Sequence, residues 1–206
     1  MTEELVVLCA EDGTALGSAA KETVHHRDTP LHLAFSCYVF DRAGRVLVTR
    51  RARTKQTFAG VRTNSCCGHP APGETLPAAV RRRLAFELDV VARQVDLLLP
   101  EFRYRATAGD GTVENELCPV YRAVVDSARF RPNPAEVDDA WWVEWTRFCA
   151  DSVADDPLSA WAAEQVGQLT VLGPDPLDWP TAPDTRLPRV ARPDGPATAA
   201  WSPSAG

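Results

Sequence analysis

Residues 31–40 read LHLAFSCYVF and Arg45–Arg51 reads RVLVTRR, with Asp41-Arg-Ala-Gly44 between them. Both runs carry the aliphatic, aromatic and β-branched side chains that favour strands, and the Asp and Gly between them supply turn chemistry. The pair predicts a β-hairpin. In its second strand Val46 and Val48 point one way, Leu47 and Thr49 the other. Downstream, Leu76, Ala79, Val80, Leu84 and Leu88 recur at helical spacing, which predicts a helix over residues 75–88. Thr75 can cap it, and Pro77 falls in the first turn, where a missing N–H is tolerated. Further strands are expected over 101–106, 112–125 and 140–145, and a second helix over 156–169. Strands of this order interleaved with helices describe an α/β chain of the α+β type, built on antiparallel or mixed strands.

The chain has 206 residues, enough for one domain with a single large core. Its 45% hydrophobic and 24% charged residues are ordinary for a globular protein and exclude fibrous or wholly disordered classes. No apolar run reaches the length of a membrane span, and MTEELVVLCAEDG carries acid where an export signal carries base. A cytoplasmic protein without a membrane partner is expected. A net charge of −6 and a pI of 5.2 argue against nucleic acid as a partner, which would demand accumulated Lys and Arg. The six cysteines are expected to be reduced thiols, available for chemistry.

From Gly173 onward the composition shifts, holding Pro174, Pro176, Pro180, Pro183, Pro188, Pro193, Pro196 and Pro203 among Ala, Asp and Gly. The expectation is a domain over 1–172 and a disordered Pro-rich tail over 173–206, with Trp179 and Trp201 free to dock locally. Removing everything after Gly173 is then expected to leave catalysis nearly unchanged.

Chemistry concentrates elsewhere. The four histidines, His25, His26, His32 and His69, all lie in the first third of the chain. Glu114 and Glu116 stand two apart on an expected strand, so their side chains share a face roughly 6.5 to 7 Å apart. Alone, they read as a solvated strand face. His25 and His32 flank the strand that starts near residue 31, and His69 follows the Asn64-Ser-Cys-Cys-Gly68 loop. Imidazole with carboxylate is a ligand set for a divalent transition ion. Arg50-Arg-Ala-Arg53 with Lys55, and Arg81-Arg-Arg83 on the helix, read either as a solvated basic face or as a diphosphate cradle. Arg83 and Glu87, four apart, could pair with each other, or Glu87 could hold a magnesium ion whose other ligands are phosphate oxygens.

His32-Leu-Ala-Phe-Ser36, Leu47-Val-Thr-Arg-Arg51, Thr63-Asn-Ser-Cys-Cys-Gly-His-Pro70, Phe102-Arg-Tyr-Arg-Ala106, Val113-Glu-Asn-Glu116 and Cys118-Pro119 resemble the type I isopentenyl-diphosphate isomerases of the Nudix-fold superfamily. The resemblance runs from about Val6 to Trp161, in order, and excludes the tail. It implies a Nudix-like mixed sheet sandwiched by helices. It implies His25, His32, His69, Glu114 and Glu116 as ligands of one divalent ion, which could be Mn2+, Zn2+ or Mg2+. Cys67 and Glu116 match the catalytic pair, with Tyr104 beside the glutamate and Trp161 facing the hydrocarbon end. Glu87 and the Cys67 backbone match the ligands of a Mg2+ ion that arrives with the substrate. Lys21, Arg51, Lys55 and Arg83 match the diphosphate-binding basics. The implied partner is a small-molecule isoprenoid diphosphate, and the protein is a monomer or homodimer.

The chemistry fits. Moving a double bond from a terminal to an internal position adds a proton to an alkene and removes another from a neighbouring carbon. Two proton-carrying groups on opposite sides of a flat substrate suffice, and an aromatic face stabilises the cation between them. Two departures stand out. In the Nudix hydrolase signature G-x5-E-x7-R-E-U-x-E-E-x-G-U, Gly68, Glu74, Arg82, Leu84, Glu87 and Val90 fit, while Arg83, Phe86 and Asp89 replace fixed residues. Lacking two of the clustered glutamates, the chain is short of ligands for metal-activated hydrolysis. Against the isomerases, Phe58-Ala-Gly-Val-Arg62 and Asp89 differ, which touches loop shape and helix ending more than the catalytic set. A Nudix hydrolase and a non-catalytic binder of isoprenoid diphosphates or metal are the competing readings.

Overall fold

The computed structural model describes residues 4–150 and 156–192. Along these residues run β1 (Leu5–Cys9), β2 (Ala15–Ala20), α1 (Lys21–Val24), β3 (His32–Leu33), β4 (Phe35–Phe40), β5 (Arg45–Arg51), β6 (Arg62–Thr63), β7 (Cys66–Gly68) and α2 (Leu76–Leu88). They are followed by β8 (Val95–Leu99), β9 (Arg103–Thr107), β10 (Val113–Leu117), β11 (Val120–Val124), β12 (Val137–Glu144), α3 (Trp145–Ala150) and α4 (Ala160–Leu169). The strands form two sheets, ordered β2-β1-β3-β10-β9 and β12-β5-β4-β11-β8, with β6 on β5 and β7 on β4.

The expected strand at 31–40 divides at Ala34 and serves both sheets, and so does the stretch at 112–125, which divides at Cys118-Pro119. The two stretches run parallel through the junction: Glu116 pairs with His32 and Leu117 with Leu33 in one sheet, then Val120 with Ser36 onward in the other. Ala34 N–H donates to Leu117 O at 2.9 Å and Ser36 N–H to Pro119 O at 3.1 Å, so the ladder continues across the break. Pro119 has no N–H to offer, which suits a point where pairing changes hands.

β4 is buried along its whole length, and its two faces feed different cores. Phe35, Cys37 and Val39 pack with Leu76, Ala79, Val80, Leu84 and Leu88 of α2. Tyr38 and Phe40 pack with Trp145 and Phe148 of α3 and with Trp161, Val166 and Leu169 of α4. Helices therefore cover both faces of the larger sheet. A strand buried on both sides reads as a mostly apolar run without alternation, as LHLAFSCYVF does outside His32 and Ser36. Each large apolar side chain removed from water adds on the order of 1.5–3 kcal/mol.

The hairpin prediction is corrected. Asp41 and Gly44 do build the turn, with Asp41 Oδ1 accepting from Ala43 and Arg45 N–H at 3.0 Å each. Yet β4 and β5 pair only at Phe40 and Val46, after which they separate and β6 and β7 fill the gap. A hairpin at β1 and β2 was also missed, although Asp12-Gly13 between two apolar runs was its signal. Helix α2 has the expected extent, but Thr75 makes no side-chain cap bond; its carbonyl instead accepts from Ala79 N–H at 3.0 Å. Asp89 ends the helix in the left-handed region, at φ 55° and ψ 35°.

The expected disorder after Gly173 is also corrected for residues 173–192; residues 193–206, including Trp201, lie outside the described part. Trp179 is buried against Trp145 and Phe40, with ring centroids 5.0 and 5.6 Å away. An extended Pro-rich segment leaves its carbonyls unpaired, and here Arg122 Nη1 donates to those of Pro176, Leu177 and Trp179 at 2.7, 3.0 and 3.3 Å. Further on, Ala182 N–H donates to Leu97 O, Val190 N–H to Gly13 O, and Leu187 is buried in the main core. Gly13 sits at φ 77°, and a Cβ there would meet Pro188 Cβ at 3.1 Å, so the close approach of this segment needs glycine. The six cysteines are free thiols, as expected. No helix among the described residues is long and apolar enough to cross a membrane.

Candidate active site

Register aligns the site across three strands: His32 of β3 lies beside Glu116 of β10, which lies beside Tyr104 of β9. His25 follows α1, and His69 follows β7 immediately after Gly68. A Cβ on Gly68 would meet Arg83 Cγ at 3.1 Å and Phe35 Cζ at 3.2 Å, so glycine lets this strand approach α2. One ligand atom each from His25, His32, His69 and Glu116 lies within 4.8 Å of the others. His32 Nε2 is 3.2 Å from His69 Nε2 and 3.5 Å from Glu116 Oε1, and His69 Nε2 is 3.1 Å from that same oxygen.

The donor set fits a divalent cation. His32 Nδ1 lies 2.9 Å from the Pro30 carbonyl, which can only accept, so its proton sits there and the Nε2 lone pair faces the cluster. His25 Nε2 is buried without a hydrogen-bond partner. Burial pushes His25 and His69 down to about 4, leaving them neutral and able to ligate. Burial also opposes charge on His32 and Glu116, but their contact prevails: His32 is raised, and Glu116, bonded to His32 and His69, is held well below the usual carboxylate range. Three imidazoles and a carboxylate suit a first-row ion.

Glu114 behaves differently from the expected fifth ligand. Its carboxylate accepts from Thr57 Oγ1 at 2.7 Å and Tyr104 OH at 2.8 Å, and it lies outside the four converging atoms. Burial and the neighbouring Glu116 raise its pKa.

These groups open into a cavity of about 700 Å³. Cys67, Glu114, Glu116, Tyr104 and Trp161 line it, together with the four expected basics Lys21, Arg51, Lys55 and Arg83. Cys67 comes from β7 of the larger sheet and Glu116 from β10 of the smaller one, so the two border the cavity from different walls. Burial pushes the Cys67 thiol up to about 12, against hydrogen bonds with Ser36 and Asn64, so it stays protonated. Trp161 lies 5.6 Å from Tyr104 with the rings tilted by 37°, takes Phe58 edge-on at 5.2 Å and holds the Arg51 guanidinium 5.7 Å from its ring centroid.

Comparison with known proteins sorts these features. Residues 30–165 match the NUDIX domain. The chain is 50% identical over 189 residues to the isopentenyl-diphosphate Delta-isomerase of Saccharopolyspora erythraea, covering 91% of this chain and 97% of that one. To the protein of that name from Mycolicibacterium vanbaalenii it is 55% identical over 174 residues, covering 84% and 94%. The chain belongs to the isopentenyl-diphosphate Delta-isomerase family. Its fold recurs in a solved structure from Deinococcus radiodurans, DR0079, at TM-score 0.62 and 20% identity, covering 80% of this chain and 98% of that one. It recurs also in a MutT NUDIX hydrolase from Burkholderia pseudomallei, at TM-score 0.53 and 20% identity over 68% and 98% of the two chains.

In this member of the isopentenyl-diphosphate Delta-isomerase family the two glutamates kept from the hydrolase signature are both paired with arginines. Glu74 binds Arg82 Nε and Nη2 at 2.8 and 2.7 Å and does not line the cavity. Glu87 accepts from Arg83 at 2.8 and 2.5 Å and borders a small cavity behind Cys67. Sequence reading missed Glu136, which lies 3.2 Å from Arg83 and also pairs with Lys55, giving the basic end a second carboxylate. Nothing local marks it. It also missed Asn64, whose Oδ1 accepts from Cys67 Sγ at 3.2 Å and from Trp161 Nε1 at 3.1 Å; its place inside Thr63–Pro70 was the available signal.

Proposed function

We propose that the chain interconverts isopentenyl diphosphate and dimethylallyl diphosphate, as its relatives' name states, and so feeds isoprenoid biosynthesis in the cytoplasm. The observation that supports it is one cavity bordered by two proton carriers on different walls, Cys67 and Glu116, with aromatics and cations in the same lining. Lys21, Arg51, Lys55 and Arg83 hold the diphosphate, drawing their carboxylate partners aside as phosphate oxygens arrive. Glu116 and Cys67 then exchange protons with opposite faces of the substrate: one adds a proton at the terminal alkene carbon, leaving a tertiary cation, the other removes one from the CH2 on the far side of that cationic carbon, and the net composition is unchanged. Trp161 and Tyr104 present π-faces to the cationic intermediate, a contact worth about 0.5–2 kcal/mol. Enclosure keeps out water that would trap the cation.

His25, His32, His69 and Glu116 would hold one divalent ion, Mn2+, Zn2+ or Mg2+, with Glu114 completing the set on reorientation. Glu87 and the Cys67 backbone would hold Mg2+ arriving with the substrate. When bound, the first ion would draw charge from Glu116 and strengthen it as an acid.

Proton NMR of isopentenyl diphosphate incubated in D2O with the protein, Mg2+ and a divalent supplement tests this reading. Dimethylallyl diphosphate carrying solvent deuterium is expected. Unchanged substrate with verified metal loading would overturn it. Cys67→Ala is expected to lower turnover roughly 10²–10⁴-fold with the fold retained.

A further inference from the structure

Behind Cys67, on the side away from the cavity, four polar side chains are sealed in the core. Ser36 Oγ lies 3.4 Å from Cys67 Sγ and 3.4 Å from Cys118 Sγ. Gln165 Nε2 donates to Ser36 Oγ at 2.9 Å, and Tyr38 OH donates to Gln165 Oε1 at 2.9 Å. Ser36, Tyr38 and Gln165 are each fully buried, and they come from β4 and α4, with Cys67 opposite Ser36 in the β4–β7 register.

One-way groups set the direction of the bonds from Tyr38 to Ser36. Tyr38 OH has Gln165 as its partner, so in a dry core it must donate there, which turns the amide oxygen toward Tyr38 and the NH2 toward Ser36. Cys118 has Ser36 as its polar partner among the described residues, and either group can donate between them. Ser36 Oγ accepts from Gln165, which leaves its own proton for one of the two sulfurs it bridges, Cys67 or Cys118. On the other flank, Asn64 Nδ2 donates to the carbonyls of Cys37 and Cys66 at 3.0 Å each, which fixes Asn64 Oδ1 as an acceptor for the Cys67 S–H. The sulfur is thus held between Ser36 and an Asn64 oxygen that Thr63 and Trp161 also bond.

We propose that Tyr38, Gln165 and Ser36 form a directional hydrogen-bond chain that aims the Cys67 sulfur at the cavity. They are positioning residues for the isomerisation, acting through Cys67. The proposal rests on Cys67 being a proton carrier, as inferred above. Tyr38 does not line the cavity, and the hydrogen-bonded route from it to the Cys67 sulfur runs through Gln165 and Ser36.

The test is a double-mutant cycle of Tyr38→Phe and Ser36→Ala, with kcat and KM for isopentenyl diphosphate measured for each variant and thermal melts verifying the fold. Tyr38→Phe is expected to lower kcat roughly 3- to 10-fold, and Ser36→Ala at least as much, both with KM within about twofold. The double variant is expected to match Ser36→Ala alone, because with the last link gone the far end of the chain has nothing to act through. Additive losses, or a rise in KM in place of a fall in kcat, would overturn the chain. Cys67→Ala run alongside separates the two levels: full activity there would overturn the role of Cys67 itself, whereas inactivity with additive single variants would overturn only the positioning. Should Ser36→Ala melt early, Gln165→Leu replaces it in the cycle with the same expected non-additivity.

Discussion

His25 is the residue whose surroundings make least sense without a cation. A buried ring nitrogen with no hydrogen-bond partner costs about 1–3 kcal/mol, and the fold keeps it 5.1 Å from the His32 ring and 5.6 Å from that of His69. Such strain persists when a bound ion returns more than the nitrogen loses. His25→Leu is therefore expected to melt at or above the wild-type temperature in chelator, and to lose the rise in melting temperature that added Mn2+ or Zn2+ gives the wild type. A variant that keeps the full metal-dependent rise would remove His25 from the ligand set. Glu114 invites a parallel comparison, since Thr57 and Tyr104 already hold its carboxylate. Glu114→Gln keeps the side chain's size and one acceptor oxygen while its NH2 faces a hydroxyl that can turn to accept, so a loss of metal affinity in that variant at an unchanged chelator-state melting temperature measures ligation and not packing.

The end of α2 illustrates how an element tolerates an awkward residue. Asp89 adopts φ 55° where glycine is the usual choice, yet its N–H still reaches Ala85 O and Leu84 O, and Val90 N–H bonds Leu84 O at 3.2 Å. Asp is among the few residues that enter this region at modest cost; a β-branched one is not. Asp89→Val is expected to lower stability by about 1–2 kcal/mol in denaturant titration, with turnover of the folded enzyme unaffected. The helix itself was legible from its periodicity, as were most strands, because burial on one or two faces writes itself into local alternation. Partnership was not legible. That β4 leaves β5 after Phe40 and takes β7 and β11 instead depends on segments far away in sequence. The same distinction divides the site: His32, His69, Cys67 and Glu116 sit in recognisable motifs, whereas Gln165, Tyr38 and Glu136 acquire meaning only from what the fold sets beside them.

For the molecule as a whole, residues 174–192 of the Pro-rich segment are a structural strap and not an appendage. Proline count suggested a chain unable to bury area, but the segment borrows its partners: Arg122 takes three of its carbonyls while Asp96 Oδ2 accepts from the same guanidinium at 2.8 Å, and Trp179 completes the aromatic group of Phe40 and Trp145. That group packs on the face of β4 which also carries Tyr38, so the strap supports the core behind the cavity without lining it. Removing everything after Gly173 strips this cover and takes three carbonyl acceptors from Arg122. Trp179→Ala alone is expected to cost about 3–5 kcal/mol, and the truncation more, read as a fall in the urea midpoint at constant slope. Because no described strap residue lines the cavity, kcat of whatever fraction stays folded at low temperature is expected to remain within about twofold of the intact chain. A truncated protein as stable as the full one would show the strap to be dispensable; a stable one with lost turnover would show that it acts on the site itself.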